Sequence, residues 1–141
     1  GWLRSGGKDP AQWKLGNSEA GFACGPTAQG RLDQADNLVK KIGWAKSQSN
    51  SYFYCFFTTH DTFDPQTSES KNEFWGLVTS NKRLKPSGHA YNELIRKLAN
   101  TIGQGEVELD SRFQACAYRR ENGSSIWLIW PRERGVARTK T

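Results

Sequence analysis

The sequence predicts an α/β chain, with parallel βαβ units over the first hundred or so residues and an antiparallel hairpin after them. Three observations carry this. Candidate strands and amphipathic helices alternate strand, helix, strand, helix up to Gly103. The second strand, Tyr52 to Phe57 (YFYCFF), is apolar on both parities, as expected of a strand packed on both faces. Beyond Gly103, two short apolar runs flank Asn122-Gly123, a strong hairpin signal.

The elements follow in order. Gly1 to Gln12 reads as a lead-in loop, with Gly6-Gly7 and a turn at Asp9-Pro10. Trp13 to Asn17 is the first strand, and it delivers Glu19 into a turn flanked by Gly16 and Gly21. Thr27 is a helix N-cap. After it Leu32, Ala35, Leu38, Val39, Ile42 and Ala45 set an apolar stripe on a helix running to about Ser47, which Gly43 weakens without ending. The strand Tyr52 to Phe57 ends in the polar run Thr58, Thr59, His60, Asp61. Cys55, mid-strand between rings, reads as a buried inert thiol. A polar loop spans Asp64 to Asn72, and Glu73 to Val78 brings rings and aliphatics back. Pro86 or Ser87 starts a second helix with the stripe Ala90, Tyr91, Leu94, Ile95 and Leu98, for which Gly103 fits the C-terminal cap. Gln104 to Asp110 reads as a linker. Phe113 to Tyr118 and Ile126 to Trp130 form the hairpin. Two strands alone cannot bury enough surface to stand as a domain, so they need partners on the helices or elsewhere.

Composition narrows the function classes. The chain has 141 residues, enough for one ordinary core, and only 35% of them are hydrophobic. Six Trp, seven Phe and four Tyr concentrate the apolar surface in large rings, which build cores and also stacking platforms. No apolar run approaches the length of a membrane span, so no membrane association is expected. Cys24, Cys55 and Cys116 are widely spaced, with no metal-ligand pattern, so neither a metal nor a cofactor is expected. The net charge is +6. From Arg112 onward seven basic residues stand against Glu121 and Glu133, and the last ten residues read as a disordered basic tail. No RNA-binding signature is present, so no nucleic-acid partner is expected. Nothing in the sequence predicts an oligomeric state.

One ordered set of short motifs carries further. A strand ending in Ser18-Glu19-Ala20-Gly21 is followed by a helix, then by an aromatic strand with a polar end (Tyr52 to Asp61). Then come Phe74-Trp75-Gly76-Leu77-Val78 and Lys85-Pro86-Ser87, leading into a helix with Ala90-Tyr91. Over roughly residues 10 to 102 this resembles the last quarter of the catalytic barrel of the retaining glycoside hydrolases of the (β/α)8 superfamily, often called clan A. The resemblance implies a partial TIM barrel, its last two βα units, in residues 1–103. It also implies that residues 104–131 are the start of an appended β-sandwich, with residues 132–141 as the tail.

The resemblance also implies roles. Glu19 is the nucleophile of a retaining O-glycosidase acting on poly- or oligosaccharide, at the C-terminal end of the seventh strand, where barrel enzymes place catalytic groups. Tyr54 or Phe56 is the aromatic platform of the eighth strand. His60 and Asp61 line the cleft, and Trp75 is a subsite ring. The clan's general acid follows an Asn at the end of the fourth strand. Asn92-Glu93 lies inside the second helix and Asn72-Glu73 past the eighth strand, so neither fits, and the chain is expected to be a C-terminal piece of a larger enzyme, inactive alone. Such enzymes are usually secreted or periplasmic, although no signal peptide opens this chain. The alternative is a non-catalytic, aromatic-rich module binding carbohydrate or nucleic acid.

Overall fold

A computed structural model describes residues 14–62 and 74–132. The expectations for Gly1 to Trp13, for the polar loop from Asp64 to Asn72, for Glu73 and for residues 133–141 lie outside the described residues. Among the described residues, two helices and two sheets form a mixed α/β architecture: β1 (Leu15–Ala20), α1 (Ala28–Ser47), β2 (Ser51–Phe56), α2 (Pro86–Leu98), β3 (Thr101–Asp110), β4 (Phe113–Arg120) and β5 (Ser125–Pro131). No described helix is long and apolar enough to cross a membrane.

β1 and β2 pair in parallel across the α1 crossover. The Thr27 hydroxyl accepts from the Gly30 N–H at 3.0 Å and so caps α1. α1 runs unbroken through Gly43 to Ser47. α2 starts with Pro86 in its first turn, where a missing N–H costs nothing. It ends at Leu98, and the residue past its cap that turns left-handed is Asn100, at φ 55°. Asn tolerates that conformation, so the expected Gly103 cap is replaced one turn earlier.

Gly103 is instead part of β3, and the expected linker Gln104 to Asp110 is strand. The terminal unit is therefore a three-stranded antiparallel sheet, β3-β4-β5, and a boundary at residues 103/104 would cut through its first strand. Gly105, at φ 86°, accompanies a register shift between Gly103 and Gly105. β4 and β5 join through Asn122-Gly123, with Gly123 at φ 83° and the Asn122 amide oxygen accepting from the Ser124 N–H at 3.0 Å.

This sheet finds its partner on the chain's own helices. Leu94, Leu98, Cys116 and Tyr118 form a buried cluster, with Val39, Ile42, Ile126, Leu128 and Trp130 packed on it. Close approach at α1 depends on two glycines. A Cβ on Gly43 would lie 2.6 Å from the Leu128 side chain, and one on Gly103 would overlap the Lys46 and Ser47 carbonyl oxygens. Polar contacts fix the register: the Tyr118 hydroxyl donates to the Gly43 carbonyl, Lys46 Nζ to the Thr101 carbonyl at 2.8 Å, and Trp44 Nε1 to Glu106 Oε1 at 2.6 Å. Burial pushes the Tyr118 hydroxyl well above its ordinary pKa, so it stays a donor.

The glycine contact and the hydroxyl contact are separable. Gly103→Ala forces backbone movement and is expected to cost about 1–3 kcal/mol. Tyr118→Phe keeps the ring and loses one hydrogen bond, at about 0.5–1.5 kcal/mol. Urea denaturation checks both, and an unchanged Gly103→Ala midpoint would show that the sheet shifts freely on α1.

Candidate active site

The site is built at the C-terminal ends of β1 and β2. Register decides which way Glu19 faces. Asn17 pairs with Tyr54 and Ala20 with Phe56, so β1 holds one more residue than β2 over this interval. Paired residues share a face, and alternation then puts Glu19 on the face opposite Ala20 and Phe56, the face of Cys55 and Phe57. The Asn17 side chain stabilises the irregularity by accepting from the Glu19 N–H at 3.1 Å. Glu19 is exposed on that face.

The opposite face of β2 turns to the helices. Tyr54 borders a 330 Å³ cavity with Ile42, Leu94 and Leu98, and a 440 Å³ cavity with Gly16, Lys41 and Trp44. Its hydroxyl is buried without a hydrogen-bond partner among the described residues, and burial raises its pKa. Phe56 shares the helix side by its pairing with Ala20 and is half-buried. Neither expected platform ring therefore stands on the face that Glu19 occupies. The ring that does is Phe57, 44% exposed, whose peptide bond to Thr58 is cis. Its N–H donates to the Ala20 carbonyl at 2.7 Å, tying the end of β2 to the end of β1.

Trp75 joins this group. Its ring meets Phe57 edge to face, with centroids 6.0 Å apart. It also covers Gly21: a Cβ there would lie 2.8 Å from the indole and would overlap the Phe57 carbonyl. Gly21, two residues past Glu19, is thus required by close approach. The structure pairs Phe57 with Trp75 beside Gly21, two residues past Glu19, and turns Tyr54 and Phe56 to the opposite face.

Asp61 does not line a cleft. It is 3% exposed and forms an ion pair with Lys85, whose Nζ lies 2.9 Å from Oδ1 and 3.1 Å from Oδ2. Asp61 Oδ1 also accepts from the Gly76 N–H at 2.8 Å. Lys85 Nζ donates to the Phe74 carbonyl at 3.3 Å as well. His60 is exposed, and its backbone bridges to Val78. Cys55, expected to be buried, is exposed, because its face of the two-stranded sheet is uncovered by the described residues. Phe53 is 45% exposed and Tyr52, on the parity of Tyr54, 69%, so the both-sided burial expected for β2 is not met among the described residues.

A second buried group lies behind Trp75. Gln34, fully buried on α1, donates from Nε2 to the carbonyls of Phe22 (2.9 Å), Phe74 (3.1 Å) and Trp75 (3.0 Å). Its Oε1 accepts from Ser87 Oγ at 2.9 Å. Cys24 adds its N–H at 3.2 Å and its thiol at 3.3 Å to the Phe74 carbonyl. Burial raises the Cys24 pKa, opposed by the neighbouring Lys85, so the thiol stays protonated as a donor. Sequence reasoning missed Phe57, Gln34 and the role of Lys85. For Gln34 a signal existed: it is the one amide on the stripe that Leu38, Ile42 and Ala45 continue.

No protein-family model matches the chain, and a search of curated proteins finds no match.

Breaking the ion pair from one side leaves a buried charge unpaired. Lys85→Met is expected to cost about 3–5 kcal/mol. Asp61→Asn with Lys85→Met is expected to recover part of that loss, since the amide oxygen can still accept from Gly76. Chemical denaturation of the three proteins checks this, and a double variant less stable than Lys85→Met would contradict it.

Proposed function

We propose that this chain carries the nucleophile half of a retaining O-glycoside hydrolase active site, with β1 and β2 as the seventh and eighth strands of a (β/α)8 barrel. The observation that carries the reading is the placement of Glu19. An extra residue in β1 puts an exposed carboxylate at the C-terminal end of a parallel strand, on the parity of Phe57 and two residues before Gly21, which the Trp75 ring covers. Parallel strands with catalytic groups at their C-terminal ends are the arrangement of barrel enzymes. Aromatic rings beside the carboxylate suit the apolar faces of sugar rings. The exposure of Cys55 and Phe57 suits a parallel sheet whose face is covered by further parts of a barrel.

In this reading Glu19 attacks the anomeric carbon as the glycosidic C–O bond breaks. The departing oxygen takes its proton from a second carboxylic acid about 5 Å away. Water then attacks the glycosyl-enzyme ester, the second group takes the water proton, and Glu19 leaves as carboxylate. Glu93 does not suit the acid role. It lies on α2, ion-paired with Arg96 at 2.8 Å, and the hydrogen bond from Arg96 lowers its pKa, opposite to what an acid requires. The acid is assigned to strands outside these 141 residues.

The test uses the complete enzyme encoded together with this chain. Glu19→Ala is expected to lose turnover of aryl glycosides by several orders of magnitude. Added azide, entering where the carboxylate was, should restore release of the aryl group and give a glycosyl azide of inverted anomeric configuration. Wild-type turnover in Glu19→Ala would refute the assignment.

A further inference from the structure

Catalysis by a carboxylate and a stacking ring depends on their mutual position, and here they come from different loops. Glu19 is followed by the segment containing Phe22 and Cys24, whereas Trp75 belongs to the segment entering α2. These two segments meet directly where the Cys24 N–H and thiol reach Phe74 and where the Trp75 ring covers Gly21. The group that touches both through hydrogen bonds from a third element is Gln34. Its single amide nitrogen reaches the carbonyl of Phe22, three residues past Glu19, and the carbonyl of Trp75 itself. The Ser87 hydroxyl on α2 engages Oε1, which leaves the Nε2 hydrogens directed at the carbonyls. Gln34 is fully buried, so water cannot take over these bonds when they are lost.

We propose that Gln34 is a positioning residue for the site: by holding the Phe22 and Trp75 carbonyls to one amide, it fixes the Trp75 ring over Gly21, just past the end of β1 and Glu19. It touches neither substrate nor the reacting atoms, and it acts through Trp75 and the strand exit. The Asp61–Gly76 hydrogen bond anchors the next residue of the Trp75 segment, so Gln34 and Asp61 grip the ring's backbone from both sides. This rests on the nucleophile reading of Glu19.

The experiment separates the two. The complete enzyme is treated with 2,4-dinitrophenyl 2-deoxy-2-fluoro glycosides of the common hexose and pentose configurations. Glu19 forms a bond to the anomeric carbon, dinitrophenolate leaves with the bonding electrons, and the fluorosugar ester accumulates, one per site. No acid is needed for this leaving group, so the labelling rate reports on the position of the nucleophile and the ring. Gln34→Leu is expected to label to full stoichiometry per folded molecule, roughly ten- to a hundredfold more slowly. Ser87→Ala, which keeps the amide but frees its orientation, is expected to slow labelling in the same direction by less, and it stands in if Gln34→Leu does not fold. A purely structural role would lower the labelled fraction with the folded fraction and leave the rate at the remaining sites unchanged. That outcome, or wild-type rates in both variants, would overturn the proposal while Glu19→Ala still fails to label. A wild-type enzyme that does not label would overturn the nucleophile reading, and the positioning role with it.

Discussion

The Lys85–Asp61 ion pair is the interaction on which the placement of the site depends. Two charges removed from water are costly, and their attraction offsets that cost only when the remaining hydrogen-bonding capacity is also met. Here it is met on both sides: Asp61 accepts from the Gly76 N–H, and Lys85 donates to the Phe74 carbonyl. Because both partners are nearly inaccessible, at 1% and 2% side-chain exposure, the geometry has few alternatives. The pair joins the exit of β2 to the residue that caps α2, and the backbone bonds beside it follow: Asp61 N to Val78 O at 2.8 Å and Lys85 N to Leu77 O at 2.9 Å. Its contribution is therefore to specify one arrangement of the segments behind the site rather than to add net stability.

Around that pair, one carbonyl receives four donors from three elements. Phe74 O receives the Cys24 N–H and thiol from the β1 exit, the Gln34 amide from α1 and the Lys85 ammonium from the start of α2. An acceptor with two lone pairs shared among so many donors is polarised by them, and the donors are individually weak, at 3.1 to 3.3 Å. The arrangement is stiff because no donor can leave without exposing a buried polar group to apolar surroundings. α1 carries this load at its first half through Gln34. At its second half it carries the three-stranded sheet through Gly43 and Lys46. One helix thus couples the parallel pair to the antiparallel sheet.

Much of this frame was legible in the residues, because local rules govern it. Thr27 and Pro86 mark the helix starts, and the stripes on α1 and α2 carry the core members Leu38, Leu94 and Leu98. What failed did so for identifiable reasons. β3 was hidden by Gly103 and Gly105, which read as cap and linker, although Glu106-Val107-Glu108-Leu109-Asp110 alternates at the strand period. Gly103 is there because carbonyls of α1 come close, a tertiary requirement that no window of sequence reports. Tyr54 and Phe56 turn away from the face of Glu19 for a similar reason. YFYCFF is apolar on both parities, so its pattern cannot say which rings turn to the helices, and that is decided by the register with β1. Asp61, a polar residue at a strand end, looked available to a ligand until Lys85, 24 residues on, claimed it.

The same register gives the site its sense. In a strictly paired β1, Glu19 would share the parity of Asn17 and Tyr54, the face turned to α1. One added residue between Asn17 and Ala20 reverses the parity, and the Asn17 side chain satisfies the N–H that the irregularity frees. Glu19 then keeps its solvation, and Gly21, on the same side, admits the Trp75 ring that a larger residue would exclude. A bulge placed one residue earlier or later would break one of these relations. The functional reading therefore stands on a backbone feature rather than on the presence of a glutamate in a turn.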